Sequence, residues 1–391
     1  MITILNACTC ELDNPEKAVQ DIHDQIDIKN GLLKNTVALL FCHIKFIETG
    51  IMESICKSLP FDVLGCTSMY FAMPPTENMP ARSGEIMLTV TVLTSNDVEF
   101  AAGICDPLAP ENAEDRIHEM YRKTASALGG APSLAFAFPP TIFNLTIDIM
   151  TSVLDKACGG IPVFGTVALD VGKNIRSPKT IFRGGAYSDR MALLLFKGEV
   201  QPRFFFLRFP EKSALAQDAI ITAASGPELI SINNKPAASF LEGMGILNQN
   251  GFTQAIPLVI EDSNGANAEV VVVQNVSSEG ALICGRHVKV GGILNIGAIT
   301  SDYVFESARA LVRDIKNWRN GEGLFIISCF LRSIVLGEGS AAEVKLIQQE
   351  LGSMAGTYLY LNSGGELCPK YMNSGDTVNQ ALQYTIIACL L

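Results

Sequence analysis

The chain has 391 residues, 48% of them hydrophobic and 18% charged, with a formal net charge of −11. That length exceeds the usual span of one domain and that composition lies far from the disordered regime, so two closely packed domains with sizeable cores are expected. The acidic balance repels polyphosphates and anionic lipids, which sets nucleic acid and membrane surfaces aside as partners. No apolar run approaches the roughly 18–20 residues of a spanning helix. Eleven cysteines lie scattered without framework spacing, behind an opening with neither a charged n-region nor a long apolar stretch, which fits a reducing, cytoplasmic setting.

In chain order, an apolar strand, an amphipathic helix and a second strand recur three times. The first unit reads as a strand at 37–42, a helix at 48–58, a strand and turn at 62–68, and a hairpin from 87–93 to 98–104. The second has a strand at 133–138, a helix at 145–157 that Asn144 can cap, a strand and turn at 161–168, then strands at 180–186, 190–196 and 203–209. A Ser/Ala/Gly/Pro stretch at 216–227 reads as a short linker, giving domains 1–215 and 228–391. Beyond it, a hairpin turns at Asn233-Asn234-Lys235-Pro236 into a short helix, and strands follow at 270–275 and 281–290. A helix at 301–318 has Asp302 as N-cap and Phe305, Ala308, Leu311, Val312 and Ile315 on one face. The third unit has a strand at 324–330, a helix at 341–351, and strands at 356–361 and 384–391. This alternation predicts an α/β (α+β) protein of mixed sheets, built from repeated βαβ-based units packed together with helices outside.

The motifs that would announce a nucleotide loop, a dinucleotide fold, a zinc protease or a serine hydrolase are missing. The four histidines, His23, His43, His118 and His287, have no cysteine or carboxylate neighbours at metal-ligand spacing, so neither a metal nor another cofactor is expected. Cys8 and Cys10 alternate on the first strand and read as core thiols. Cys66, in Gly65-Cys66-Thr67-Ser68, is the best candidate nucleophile, since a strand-to-turn position can set a thiol beside backbone N–H donors; it still needs a base. Its counterparts are Thr166, after Gly165, and Thr357, so no nucleophile recurs, and a turn of small residues also suits close backbone approach. The segment from Ile181 through Arg183, Gly184, Gly185, Ser188 and Asp189 to Arg190 reads equally as a hairpin or as a ligand contact. Arg332 can pair with a ligand carboxylate or with an acid of the chain such as Glu366.

These segments carry a family resemblance. Val63-Leu64-Gly65-Cys66-Thr67-Ser68, Pro162-Val163-Phe164-Gly165, and Thr180-Ile181-Phe182 through Ala192-Leu193-Leu194-Leu195 resemble, in order, segments of FIST N-terminal units. Ile232-Asn233-Asn234-Lys235-Pro236-Ala237, Ser328-Cys329 to Arg332 with Leu336-Gly337, Gly356-Thr357-Tyr358 to Gly365-Glu366, and Asn379-Gln380-Ala381-Leu382 are similar to the C-terminal unit. The second turn departs from the family's polar pattern at Gly165-Thr166-Val167-Ala168-Leu169-Asp170, and Val378 stands where the family has His. The resemblance implies a stand-alone sensory protein of bacterial signal transduction that binds an amino acid or related small carboxylate. With no output module in this sequence, it would act on a separate kinase, cyclase or chemoreceptor. The expected ligand-binding residues are Gly65, Cys66, Thr67, Gly165, Thr166, Arg183, Ser188, Asp189, Arg332, Tyr358 and Glu366, with pockets where the glycine turns converge or where Arg332, Tyr358 and Glu366 meet. The competing readings are a cysteine-dependent hydrolase or transferase using Cys66, and a protein-interaction scaffold.

Overall fold

The computed structural model describes residues 1–28, 31–75, 81–142, 144–170, 178–207, 214–248, 251–252, 256–261, 268–318, 323–337, 341–351, 357–372 and 376–391. Three parallel strand pairs organise it: Asn35–Cys42 with Val63–Thr67, Leu134–Phe138 with Val163–Thr166, and Gly323–Cys329 with Thr357–Ser363. Each pair lies at the middle of its own six-stranded mixed sheet. The strands of these pairs alternate with period two, yet both faces are buried, so their sequences read as almost unbroken apolar runs. Val37, Leu39 and Phe41 point to a core shared by all three sheets, while Ala38, Leu40 and Cys42 point to a helical layer.

The three sheets repeat one plan, and they exchange strands in a cycle. The hairpin that follows each parallel pair leaves its own sheet and extends a neighbour's. Phe71–Met73 and Arg82–Gly84 pass from the first repeat to the sheet of the third. Thr180–Phe182 and Gly185–Tyr187 pass from the second to the first, and Glu366–Tyr371 and Thr377–Leu382 from the third to the second. On each outer face lie two helices: Pro15–Gln25 with Ile51–Ser58, Ala113–Leu128 with Ile147–Cys158, and Ser301–Lys316 with Ala342–Leu351. The α/β reading of repeated units with helices outside therefore stands. Among the described residues, no helix is long and apolar enough to cross a membrane.

Between Arg203–Leu207 and Gly323–Cys329 an additional sheet is inserted, in the order Ala268–Val271, Leu258–Glu261, Ile293–Gly297, Ala214–Ser225, Glu228–Ile232, Leu282–Cys284 and Val273–Val276. The hairpin expected at Asn233-Asn234 is present, with Ile232 opposite Lys235 and both asparagines at positive φ (49° and 61°), the geometry of a two-residue primed turn.

Several local expectations are corrected. The stretch 216–227, read as a linker, runs largely in strand Ala214–Ser225 and pairs with Ile293–Gly297 and Glu228–Ile232. The expected hairpin at 87–104 does not form: Leu88–Ser95 lies in the first sheet and Glu99–Ile104 edges the second. Thr146, not Asn144, occupies the N-cap position of helix Ile147–Cys158, without a side-chain capping bond, and Asn144 sits in a left-handed turn at φ 66°. Thr300, not Asp302, caps Ser301–Lys316, accepting from the Tyr303 backbone N–H. The 180–187 segment forms the hairpin, with its tight turn at Arg183-Gly184, at φ 48° and 83°.

Candidate functional site

At the centre of the three sheets the inner faces close on one another. Phe136 packs against Phe164, Phe196 and Phe325 with ring centroids 5.4, 5.1 and 5.4 Å away. The residual space, between residues such as Phe41, Phe138, Gly165 and Leu361, is about 10 Å³. That is at most the room of a single water, so no ligand sits where the glycine-bearing strands converge in this arrangement.

The glycines have a different task. A Cβ at Gly65 would lie 1.9 Å from the Leu40 carbonyl oxygen, and one at Gly165 2.0 Å from that of Ala137. Glycine is what lets each strand approach its parallel partner here. Parallel register puts Gly65 beside Leu40, Gly165 beside Ala137 and Tyr360 beside Ile326, so the third-repeat counterpart of Cys66 and Thr166 is Leu361, not Thr357.

Cys66 is fully buried in the shared apolar core, and burial pushes its thiol far above the ordinary range. A nucleophilic cysteine needs the opposite shift. His43 does not activate it on this geometry: its Nδ1 accepts the Lys45 backbone N–H at 3.3 Å, and burial lowers its pKa. Cys8 is buried at the end of the first strand, whereas Cys10 lies just beyond it and is exposed, so the two do not share a core face.

The other expected site residues fall in separate places. Thr67 ties its strand to the exchanged hairpin, its backbone N–H donating to the Lys179 carbonyl at 2.8 Å and its Oγ1 accepting the Lys179 N–H at 2.9 Å. Thr166 Oγ1 donates to Ser363 Oγ at 2.8 Å. Arg183 is exposed and held by Asp62 in a two-point pair, Nε to Oδ1 at 2.6 Å and Nη2 to Oδ2 at 2.9 Å. Ser188 Oγ accepts from Lys179 Nζ at 2.6 Å, and the Asp189 carbonyl accepts the Leu108 N–H at 2.7 Å. Tyr358 packs with the helical layer of the third sheet, and its carbonyl accepts from Asn6 Nδ2 at 3.1 Å.

Of the expected trio, Arg332 and Glu366 lie near enough for the Arg332 charge to act on the Glu366 carboxyl. Arg332, on the short helix Phe330–Leu336, is fully buried. Its Nε and Nη2 donate to Glu343 Oε1 at 3.0 and 2.5 Å, and Nη2 also reaches the Val304 carbonyl and Ser307 Oγ, at 3.0 and 2.8 Å. The acid partner is thus Glu343 rather than Glu366. Glu343 Oε2 in turn accepts from Ser328 Oγ at 2.8 Å and the Tyr360 hydroxyl at 3.3 Å. Asn362 Nδ2 bridges the Ser328 carbonyl and Tyr360 Oη at 3.3 and 3.2 Å.

Glu366 arrives on the exchanged strand, and its Oε2 accepts from Thr385 Oγ1 at 2.7 Å. Burial pushes its carboxyl up to about 8, against the opposing pull of that bond, of Cys329 and of the Arg332 charge. Burial also lifts the Cys329 thiol, at the start of the Arg332 helix, with the nearby Glu366 charge adding to it. Among the described residues, Arg332 Nη1, Glu366 Oε1 and Asn362 Oδ1 are buried without a hydrogen-bond partner. Each such atom costs about 1–3 kcal/mol, so this node is maintained against a stability cost.

Sequence reasoning found Arg332 and Glu366 but missed Glu343, Tyr360, Asn362 and Thr385. One signal was available for Glu343: it falls on the same helical stripe as Ile347 and Leu351, an acid on an otherwise apolar face. The described residues hold no cluster of three or more side chains able to bind a metal.

Comparison with known proteins places these elements in a family. The FIST N domain matches residues 36–235 and the FIST C domain residues 238–369. No curated protein matches the sequence. Among solved structures, the crystal structure of cyanuric acid hydrolase from A. caulinodans is similar at 6% identity and a TM-score of 0.36, over 100% of this chain and 98% of that one, a likeness too loose to carry activity across. The two domain matches span most of the sequence, and the chain belongs to the FIST family, which is associated with sensory signal transduction.

Proposed function

We propose that this chain is a sensory protein that binds a small polar ligand, an amino acid or related carboxylate, at the Arg332–Glu366 node and acts on a separate output protein. The observation that carries the reading is the pair of buried, unpartnered atoms of opposite character, Arg332 Nη1 and Glu366 Oε1. The first suits a ligand carboxylate and the second a ligand ammonium. Perturbed titratable groups of this kind cluster at functional sites, and the FIST family supplies the sensory context. The proposed modules are residues 1–215 and 228–391. Because the node unites the Arg332 helix with a strand that completes the second sheet, a ligand there would bear on both modules at once.

Thermal unfolding of the full chain against the standard amino acids, small organic acids and nucleotides tests this. A ligand at about 100 times its dissociation constant adds roughly 2.7 kcal/mol to native stability. The expected result is a shift with an amino acid or carboxylate that Glu366→Gln weakens. A flat response across the panel would contradict it and favour a scaffold role.

A further inference from the structure

A second candidate site lies at the seam between the second repeat and the inserted sheet. Thr146, Ile147 and Val167 on one side face Ile283 and Gly285 of the inserted sheet and Gln383 of the third repeat around a cavity of about 50 Å³. Thr146 is the N-cap of the 12-residue helix Ile147–Cys158, but its side chain makes no capping bond. The residue is only 8% exposed, and its Oγ1 has no hydrogen-bond partner among the described residues. The hydroxyl at this position ordinarily accepts an N–H of the first turn. Here the Thr146 side chain leaves that role unfilled, and the acid of the first turn is Asp148.

The opposite wall is fixed. Gln383 Oε1 accepts the Val272 N–H at 3.0 Å and its Nε2 donates to the Gly285 carbonyl at 3.1 Å, so this amide cannot turn to serve Thr146. Charge narrows the occupant. Among the described residues, no Lys or Arg lines the cavity. Asp148, one residue into the helix, accepts the His287 backbone N–H on Oδ2 at 3.1 Å, while its buried Oδ1 has no partner among the described residues. A full anion would meet that carboxylate with no cation to offset it, and a purely apolar guest would leave the hydroxyl and the helix N–H groups unmet. Size narrows it further: a cavity of about 150 Å³ takes benzene, and this one holds only a few heavy atoms.

We propose that the seam binds a small uncharged molecule bearing both a carbonyl acceptor and an N–H donor, of the primary carboxamide or urea class. The carbonyl meets the helix N-terminus and Thr146, and the N–H group meets the acceptors beside it. This site is separate from the Arg332–Glu366 node and stands even if that node binds nothing. Because its walls come from the second repeat, the inserted sheet and the third repeat, occupancy would favour the arrangement in which they meet.

Acetamide, with acetate as the charged control, tests the idea on the full chain by following methyl NMR shifts of Ile147 and Ile283. The expected result is saturable binding of acetamide and none of acetate. Thr146→Val should weaken binding about tenfold, the scale of one lost hydrogen bond, and Val167→Leu, which adds a methylene to the cavity wall, should abolish it. Thermal unfolding of each variant establishes that it is folded, and if Thr146→Val is not, Val167→Leu decides. Shifts that never saturate, equal binding of acetate, or binding unchanged in the folded variants would overturn the proposal.

Discussion

The centre of the three sheets and the Arg332 node are equally buried, yet they are built on opposite terms. Around Phe136 the lining is apolar and the residual space is at most that of one water. At the node an ion pair, a raised carboxyl and several polar side chains are buried together, with atoms of Arg332, Asn362 and Glu366 left unpartnered. The centre is closed by apolar contact, whereas the node leaves buried polar atoms unpartnered among the described residues. The point of convergence of three repeats is therefore not automatically a binding site, and the glycines there serve strand approach.

The largest effect expected is at the ion pair. Arg332→Met leaves Glu343 buried and uncompensated and should destabilise the protein by about 3–5 kcal/mol in urea unfolding. Adding Glu343→Leu should recover much of that loss, because a buried pair is often close to neutral against apolar replacement. A single-variant cost below about 1 kcal/mol would remove the node's distinctness from the surface pairs. In the centre, Phe136→Ala should cost about 3–5 kcal/mol through cavity formation, with no change in ligand response.

Glu366 separates the two regions by pH. Its folded pKa of about 8 lies above its ordinary 4.5, so the native state binds the extra proton between those values. Its stabilising contribution is therefore full below the lower value and declines as pH rises through the upper, at up to about 1.4 kcal/mol per pH unit. Unfolding free energies measured from pH 5 to pH 9 should fall in the wild type from this cause, and Glu366→Gln should flatten the profile. An unchanged slope in the variant would mean that Glu366 is not the titrating group.

The smallest effect is at the exposed pair: Arg183→Ala should cost less than about 1 kcal/mol, less still at high salt. Thiol labelling adds a kinetic contrast. Exposed Cys10 should react readily in the native state, and buried Cys66 only as the protein unfolds.

Much of this fold is legible in the sequence because it is local. The three strand–helix–strand repeats follow from apolar runs and helical spacing, and the Asn233-Asn234 turn from residues that tolerate positive φ. Two further helices also carry local signals: Asn14-Pro15 opens Pro15–Gln25, and Ile117, Met120, Thr124 and Leu128 line one face of Ala113–Leu128. The cyclic exchange of hairpins is not written locally at all. Pairings such as Glu366 with Thr166 join residues about two hundred positions apart, and no turn or periodicity specifies them. The node follows the same rule: the Ser328-Cys329 to Arg332 segment marks one half, while Glu343, Tyr360 and Thr385 come to it only through tertiary packing.

The most direct measurement is calorimetric titration of the amino acid or carboxylate that stabilises the chain, at pH 7 in buffers of different ionisation enthalpy. Glu366 is largely protonated there in the free protein, and a ligand ammonium seated on its Oε1 would drive it to ionise. The structure predicts release of about one proton per amino acid bound, lost in Glu366→Gln. Binding heats independent of the buffer, or proton release that persists in Glu366→Gln, would contradict a ligand site at Arg332 and Glu366.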